Sequence, residues 1–143
     1  MKHVADKEMV KNAIGEDHYD EMAEPPELEI EDSHPLARNV KAALKDIYDP
    51  EIPVNIYELG LIYKVSFKKA ESKDTEPVEY DVSVEMSLTS PACPVAQEMP
   101  SWVQNAIFPL QGVRHVDVEI VWDPTWDPSM MAETAKLQLN MFT

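Results

Sequence analysis

The apolar positions of this chain change period several times, and each change marks an element. Leu36, Val40, Ala43, Leu44 and Ile47 recur at helical spacing and predict a first helix. Asp32 or Ser33 can cap it, and Pro50 stops it just after Tyr48. Asp49 to Gly60 then holds Pro50, Pro53 and a closing glycine, and reads as an ordered loop. Leu61, Tyr63, Val65 and Phe67 alternate with Ile62, Lys64 and Ser66, which predicts a strand. Lys68 to Pro77 is polar and reads as a connecting loop. Val78 to Leu88 is the longest strand pattern, with Glu79, Asp81, Ser83 and Glu85 on its other face. Val95, Met99, Trp102, Val103, Ala106 and Ile107 return to helical spacing. Pro100 inside that pattern predicts a kink or a short first turn, and Met99 and Trp102 read as core. Pro109 and Gly112 end the helix. Val113, Val116, Val118, Ile120 and Trp122, with Asp117 and Glu119 between them, predict a third strand. Asp127 can cap and Pro128 can open a last helix running to about Asn140.

The order is therefore α-β-β-α-β-α. It predicts a two-layer α+β domain, a three-stranded and mostly antiparallel sheet packed with two to three helices. The 143 residues suit one domain with an appendage. Residues 1–32 read as the appendage: acidic residues outnumber lysines, Pro25-Pro26 interrupts them, and little apolar area is on offer to offset chain entropy. The folded part is expected over 33–143.

Charge narrows the partners. A formal net charge of −15 repels nucleic acid phosphates and anionic lipid. Met1 to Met9 carries Lys2, Asp6, Lys7 and Glu8 where a secretory signal needs an apolar core. Met99 to Val113 is too broken by polar residues and proline to span a membrane. A cytoplasmic protein that binds neither nucleic acid nor membrane is the expectation.

Cys93 is the only cysteine, so no intrachain disulfide and no Cys-x-x-Cys motif can form. It sits where strand periodicity hands over to helix periodicity, in Thr89-Ser90-Pro91-Ala92-Cys93-Pro94. Pro94 suits a first helical position, which puts Cys93 at or near the N-cap. The positive end of a helix favours an anion there, and a thiolate is both a nucleophile and a metal ligand. The bland alternative is a small buried hydrophobe. In the loop at Asp49, a turn carboxylate accepting backbone N–H groups is favoured, and Asp49 and Glu51 presenting carboxylates near the sulfur is the functional alternative. Glu58 reads as a solvated charge, and His115 as a surface residue rather than a ligand.

These residues together resemble the SufT-type group of metal–sulfur cluster biosynthesis proteins, related to PaaD and to the amino-terminal region of Mrp-type cluster carriers. The resemblance runs from about Val40 to Leu139. It rests on Asp49-Pro50-Glu51, Asn55-Ile56, Leu59-Gly60-Leu61-Ile62-Tyr63, Thr89, Cys93-Pro94, Gly112-Val113, Trp122-Asp123-Pro124 and Trp126. It implies a small α+β domain that assembles or maintains iron–sulfur clusters. It implies Cys93 as the functional thiol and metal ligand, with Asp49, Glu51 and Thr89 around the bound group. The extra carboxy-terminal cysteines of PaaD-like proteins are absent.

Clusters are ordinarily held by several thiolates, so one cysteine cannot hold one alone. The expectation is an accessory, non-enzymatic factor that carries a transient iron–sulfur cluster or iron, shared with other ligands and not tightly bound. Those ligands would come from assembly or carrier proteins, apo-protein clients, glutathione or a second copy in a homodimer. Two alternatives stand beside it: a thiol enzyme with Cys93 as nucleophile, aided by His115, and a docking scaffold that uses no metal.

Overall fold

The structure, a computed structural model, describes residues 22–50, 52–71, 77–89 and 95–139. Glu51, Cys93 and most of the acidic stretch, residues 1–21, lie outside the described residues.

In chain order the elements are β1 (Glu29–Ile30), α1 (Ala37–Leu44), β2 (Ile62–Lys69), β3 (Tyr80–Met86), a 3-10 turn (Val95–Glu98) leading into α2 (Met99–Ile107), β4 (Val113–Ile120), a second 3-10 turn (Pro128–Met130) and α3 (Glu133–Gln138). The α+β class and the helix–strand order of the domain are as expected. Pro100 falls in the first turn of α2, where its missing N–H costs nothing. That is the short first turn anticipated from its position.

The sheet differs from expectation in two ways. It has four strands, in the order β1-β2-β3-β4. Only β2 and β3 pair antiparallel, while β1–β2 and β3–β4 are parallel. The β3–β4 pairing follows from what joins them. Parallel neighbours need a crossover, and α2 supplies it. β1 is two residues long, too short to leave a period in an acidic stretch.

The expected boundary at residue 33 also moves. Residues 22–32 lie on the domain: Ala23 is fully buried, and Ile30 pairs with Val65. The Tyr57 hydroxyl donates to Glu24, and Lys41 bridges Glu24 at 3.2 Å and also Asp32. Burial works against the Lys41 charge, but hydrogen bonds to Asp32 and Glu24 outweigh it and raise its pKa.

The helices pack on the sheet through their apolar stripes. Val40 and Leu44 of α1, with Met99, Val103 and Ile107 of α2, join Val65, Val82, Val84 and Val116 in one core. Trp102 is half-buried against it. Gln104 Nε2 donates to Val116 O at 3.2 Å and ties α2 to β4. Strand β4 carries an extra residue: Tyr80 pairs with Val113 and Asp81 with His115, so Arg114 bulges. The bulge is why its apolar spacing slips from Val113 to Val116 before alternation resumes. The freed guanidinium grips both Asp81 oxygens, at 3.0 and 2.7 Å.

The carboxy-terminal segment is not one helix. Asp127 does cap its start, accepting the Ser129 N–H at 2.7 Å. The chain then goes extended at Met131 and Ala132, with ψ of 145° and 155°, before α3 begins. That break lets the Ala132 N–H reach Glu58 O at 2.8 Å.

Candidate functional site

Three segments meet at one end of the sheet because of how its strands are paired. The parallel strands β3 and β4 end together, Met86 opposite Ile120, and the Val121 N–H donates to Met86 O at 2.8 Å. The antiparallel strand β2 begins at the same end, Ile62 opposite Met86, with Ser87 N–H on Leu61 O at 2.8 Å. The loop from Asp49 therefore arrives where the chain leaves β3 towards Thr89 and where Trp122–Trp126 follows β4. Loops at the carboxyl ends of parallel strands are a common place for binding groups.

Asp49 is buried at this junction, 6% exposed. Its Oδ1 accepts the Ile52 N–H at 2.9 Å, and its Oδ2 accepts the Thr89 hydroxyl at 3.3 Å. The turn-forming reading of Asp49 is thus correct, and the same carboxylate also faces the segment that leads to Cys93. Of the residues singled out from sequence, Asp49 and Thr89 are brought together. Cys93 and Glu51 lie outside the described residues.

Glu58 is not the solvated charge expected. Its residue is fully buried. Asn55 Nδ2 donates to Oε2 at 2.6 Å, and the Thr134 hydroxyl and Gln138 Nε2 (3.5 Å) donate to Oε1. The Glu58 N–H in turn donates to Asn55 Oδ1 at 2.9 Å. A buried carboxylate is tolerated when donors surround it in this way. A sequence signal did exist: Glu58 interrupts a run of Val54, Ile56, Tyr57, Leu59 and Leu61, each fully buried.

The same stretch is fastened to the chain after β4. Trp126 Nε1 donates to Leu59 O at 2.7 Å, and the Tyr63 hydroxyl donates to Pro124 O at 2.8 Å. Burial pushes the Tyr63 phenol above its ordinary pKa, so it stays a donor. Beside it a cleft of about 330 Å³ is lined by Glu27, Glu29, Lys64, Glu85 and Asp123 among others. Those carboxylates do not converge: among the described residues no group of three His, Cys, Asp or Glu side chains could hold a metal. His115 is exposed on β4 and pairs with Asp81, towards the far end of the strand from Ile120. No helix among the described residues is long and apolar enough to cross a membrane.

Comparison with known proteins identifies the family. Residues 37–120 match the model of a family described as iron–sulfur cluster assembly protein. An Fe–S protein maturation auxiliary factor of Porphyromonas gingivalis is 38% identical over 97 residues, which cover 68% of this chain and 84% of that protein. The Fe–S protein maturation auxiliary factor SufT of Staphylococcus aureus is 34% identical over 95 residues, 66% of this chain and 98% of that protein. A crystal structure of a domain of unknown function from Bacillus anthracis superposes with a TM-score of 0.59 at 30% identity, over 73% of this chain and 91% of that one. With the family model matching more than half of its length and two relatives matched over 84% and 98% of theirs, the chain belongs to the iron–sulfur cluster assembly protein family.

Proposed function

We propose that this protein is an accessory factor in iron–sulfur protein maturation that takes up and hands on iron or a cluster through Cys93. The observation that carries the reading is the Thr89–Asp49 hydrogen bond, 3.3 Å long. It ties a buried carboxylate to the segment that leads from β3 to the thiol. The relatives named as maturation auxiliary factors support the role. Iron or the cluster is cargo here. One thiolate per chain supplies one ligand, so the remaining ligands come from a partner, a client, glutathione or a second copy. A site completed by others favours transfer over storage. The role requires no turnover of an organic substrate. His115 pairs with Asp81, towards the other end of β4 from Ile120.

Anaerobic reconstitution with iron, sulfide and glutathione tests the reading. Cys93→Ala is expected to lower bound iron by at least about tenfold, since loss of even an outer-shell partner of a metal ligand costs that much. Equal iron uptake by wild type and variant contradicts it.

A further inference from the structure

The region matched to the family ends at residue 120, yet hydrogen-bond partners of Glu58, Leu59 and Tyr63 lie beyond it. Thr134 and Gln138 bind the Glu58 carboxylate, Ala132 binds its carbonyl, Trp126 binds Leu59, and Pro124 binds Tyr63. Glu58 is the point where this carboxy-terminal segment grips the Asp49 loop from inside the protein.

The grip reaches Asp49 through Asn55. Both ends of the Asn55 amide are taken by Glu58, one by its carboxylate at 2.6 Å and one by its N–H at 2.9 Å. The Asn55 backbone bridges Tyr48, the neighbour of Asp49. The Asp49 N–H donates to Val54 O at 3.3 Å, on the other side of Asn55. A chain of short contacts therefore runs from α3 through Glu58 and Asn55 to the carboxylate that receives Thr89.

We infer that Glu58 is a positioning residue: it clamps the carboxy-terminal segment to the Asp49 loop and so sets where Asp49 meets the segment leading to Cys93. Its carboxyl group is suited to this: Asn55, Thr134 and Gln138 all arrive as donors, one at Oε2 and two at Oε1, and both oxygens accept. Glu58→Gln keeps the shape but sets an amide N–H₂ against one of those donors. The consequence for cargo handling rests on the function proposed above, whereas the placement of Asp49 does not.

The test uses the full chain and native-state amide exchange. In Glu58→Gln, the Ile52 amide, which is held by Asp49 Oδ1, is expected to exchange about tenfold faster, while the Val82 and Val84 amides of β3 change far less. A swap restores the complementarity: with Asn55→Asp added to Glu58→Gln, the amide introduced at position 58 donates where Asn55 did, and the carboxylate introduced at position 55 accepts. The double variant is expected to bring Ile52 exchange back to within about threefold of wild type. If Glu58→Gln does not fold, Thr134→Val removes one donor and keeps the charge, and a selective rise at Ile52 is again expected. An Ile52 rise that only tracks Val84, or a swap that rescues nothing, overturns the inference. Iron uptake is measured on the same variants: loss of uptake in Cys93→Ala with no exchange effect in Glu58→Gln sinks the clamp and leaves the proposed function standing.

Discussion

Gly60 lies directly under the backbone of Met130: a β-carbon at Gly60 would sit 2.2 Å from Met130 O, and its φ is +81°. Two requirements coincide there, a left-handed backbone and no room for a side chain. Gly60→Ala is expected to destabilise the protein by about 3 kcal/mol, combining backbone strain with a clash that only backbone movement relieves. Urea unfolding checks this. Gly112, with φ +92°, is the contrasting control: a β-carbon there meets only Leu36 Cδ2 at 3.2 Å, a side chain that can shift. Gly112→Ala should cost less, about 1 kcal/mol.

The phenol of Tyr57 is buried, donates to Glu24, and is held well above its ordinary pKa by that burial first and by Glu24 next. A raised folded-state value gives a defined sign. The contribution is fully present below the unfolded value of 10.0 and is lost as pH rises above it, because the unfolded chain ionises first. Stability should therefore fall from pH 10 upward in wild type and fall less steeply in Tyr57→Phe. At pH 7 the same substitution is expected to cost about 1.5 kcal/mol, the loss of one hydrogen bond to a charged acceptor. Denaturant unfolding at several pH values measures both.

Asp81 shows the opposite sign. The Arg114 guanidinium hydrogen-bonded to it holds its carboxyl below the usual value of 3.8. Its contribution is present above that value and lost as pH falls through the depressed folded-state pKa. A carboxyl titration followed by NMR should find Asp81 below 3.8 in wild type and close to it in Arg114→Ala. An unchanged Asp81 in that variant would mean that the paired geometry does not persist in solution.

How much of this is legible in the sequence depends on whether a residue's neighbours repeat. Val40, Leu44, Val103, Ile107, Val82 and Val84 declare themselves because each belongs to a periodic face, and all are buried in the core. The slip between Val113 and Val116 even marks the bulge. β1 is invisible because two residues make no period. The parallel direction of β4 is not written in its own residues, but follows from the long connection through α2. Glu58 reads wrongly as solvated because charge alone suggests solvent; its burial depends on Thr134 and Gln138, far away in sequence. At the site, Asp49 is legible as a turn residue from its prolines, whereas its contact with Thr89 needs the sheet to bring two loops to one end.

The function proposed above passes cargo through the Cys93 thiol. The direct measurement is anaerobic transfer of an iron–sulfur cluster from the reconstituted full chain to an apo-acceptor, followed by recovery of acceptor activity, for wild type and Cys93→Ala supplied at equal bound iron. Transfer at least about tenfold slower from the variant is the predicted result. Transfer at the same rate from both would contradict a role for this thiol in passing cargo on.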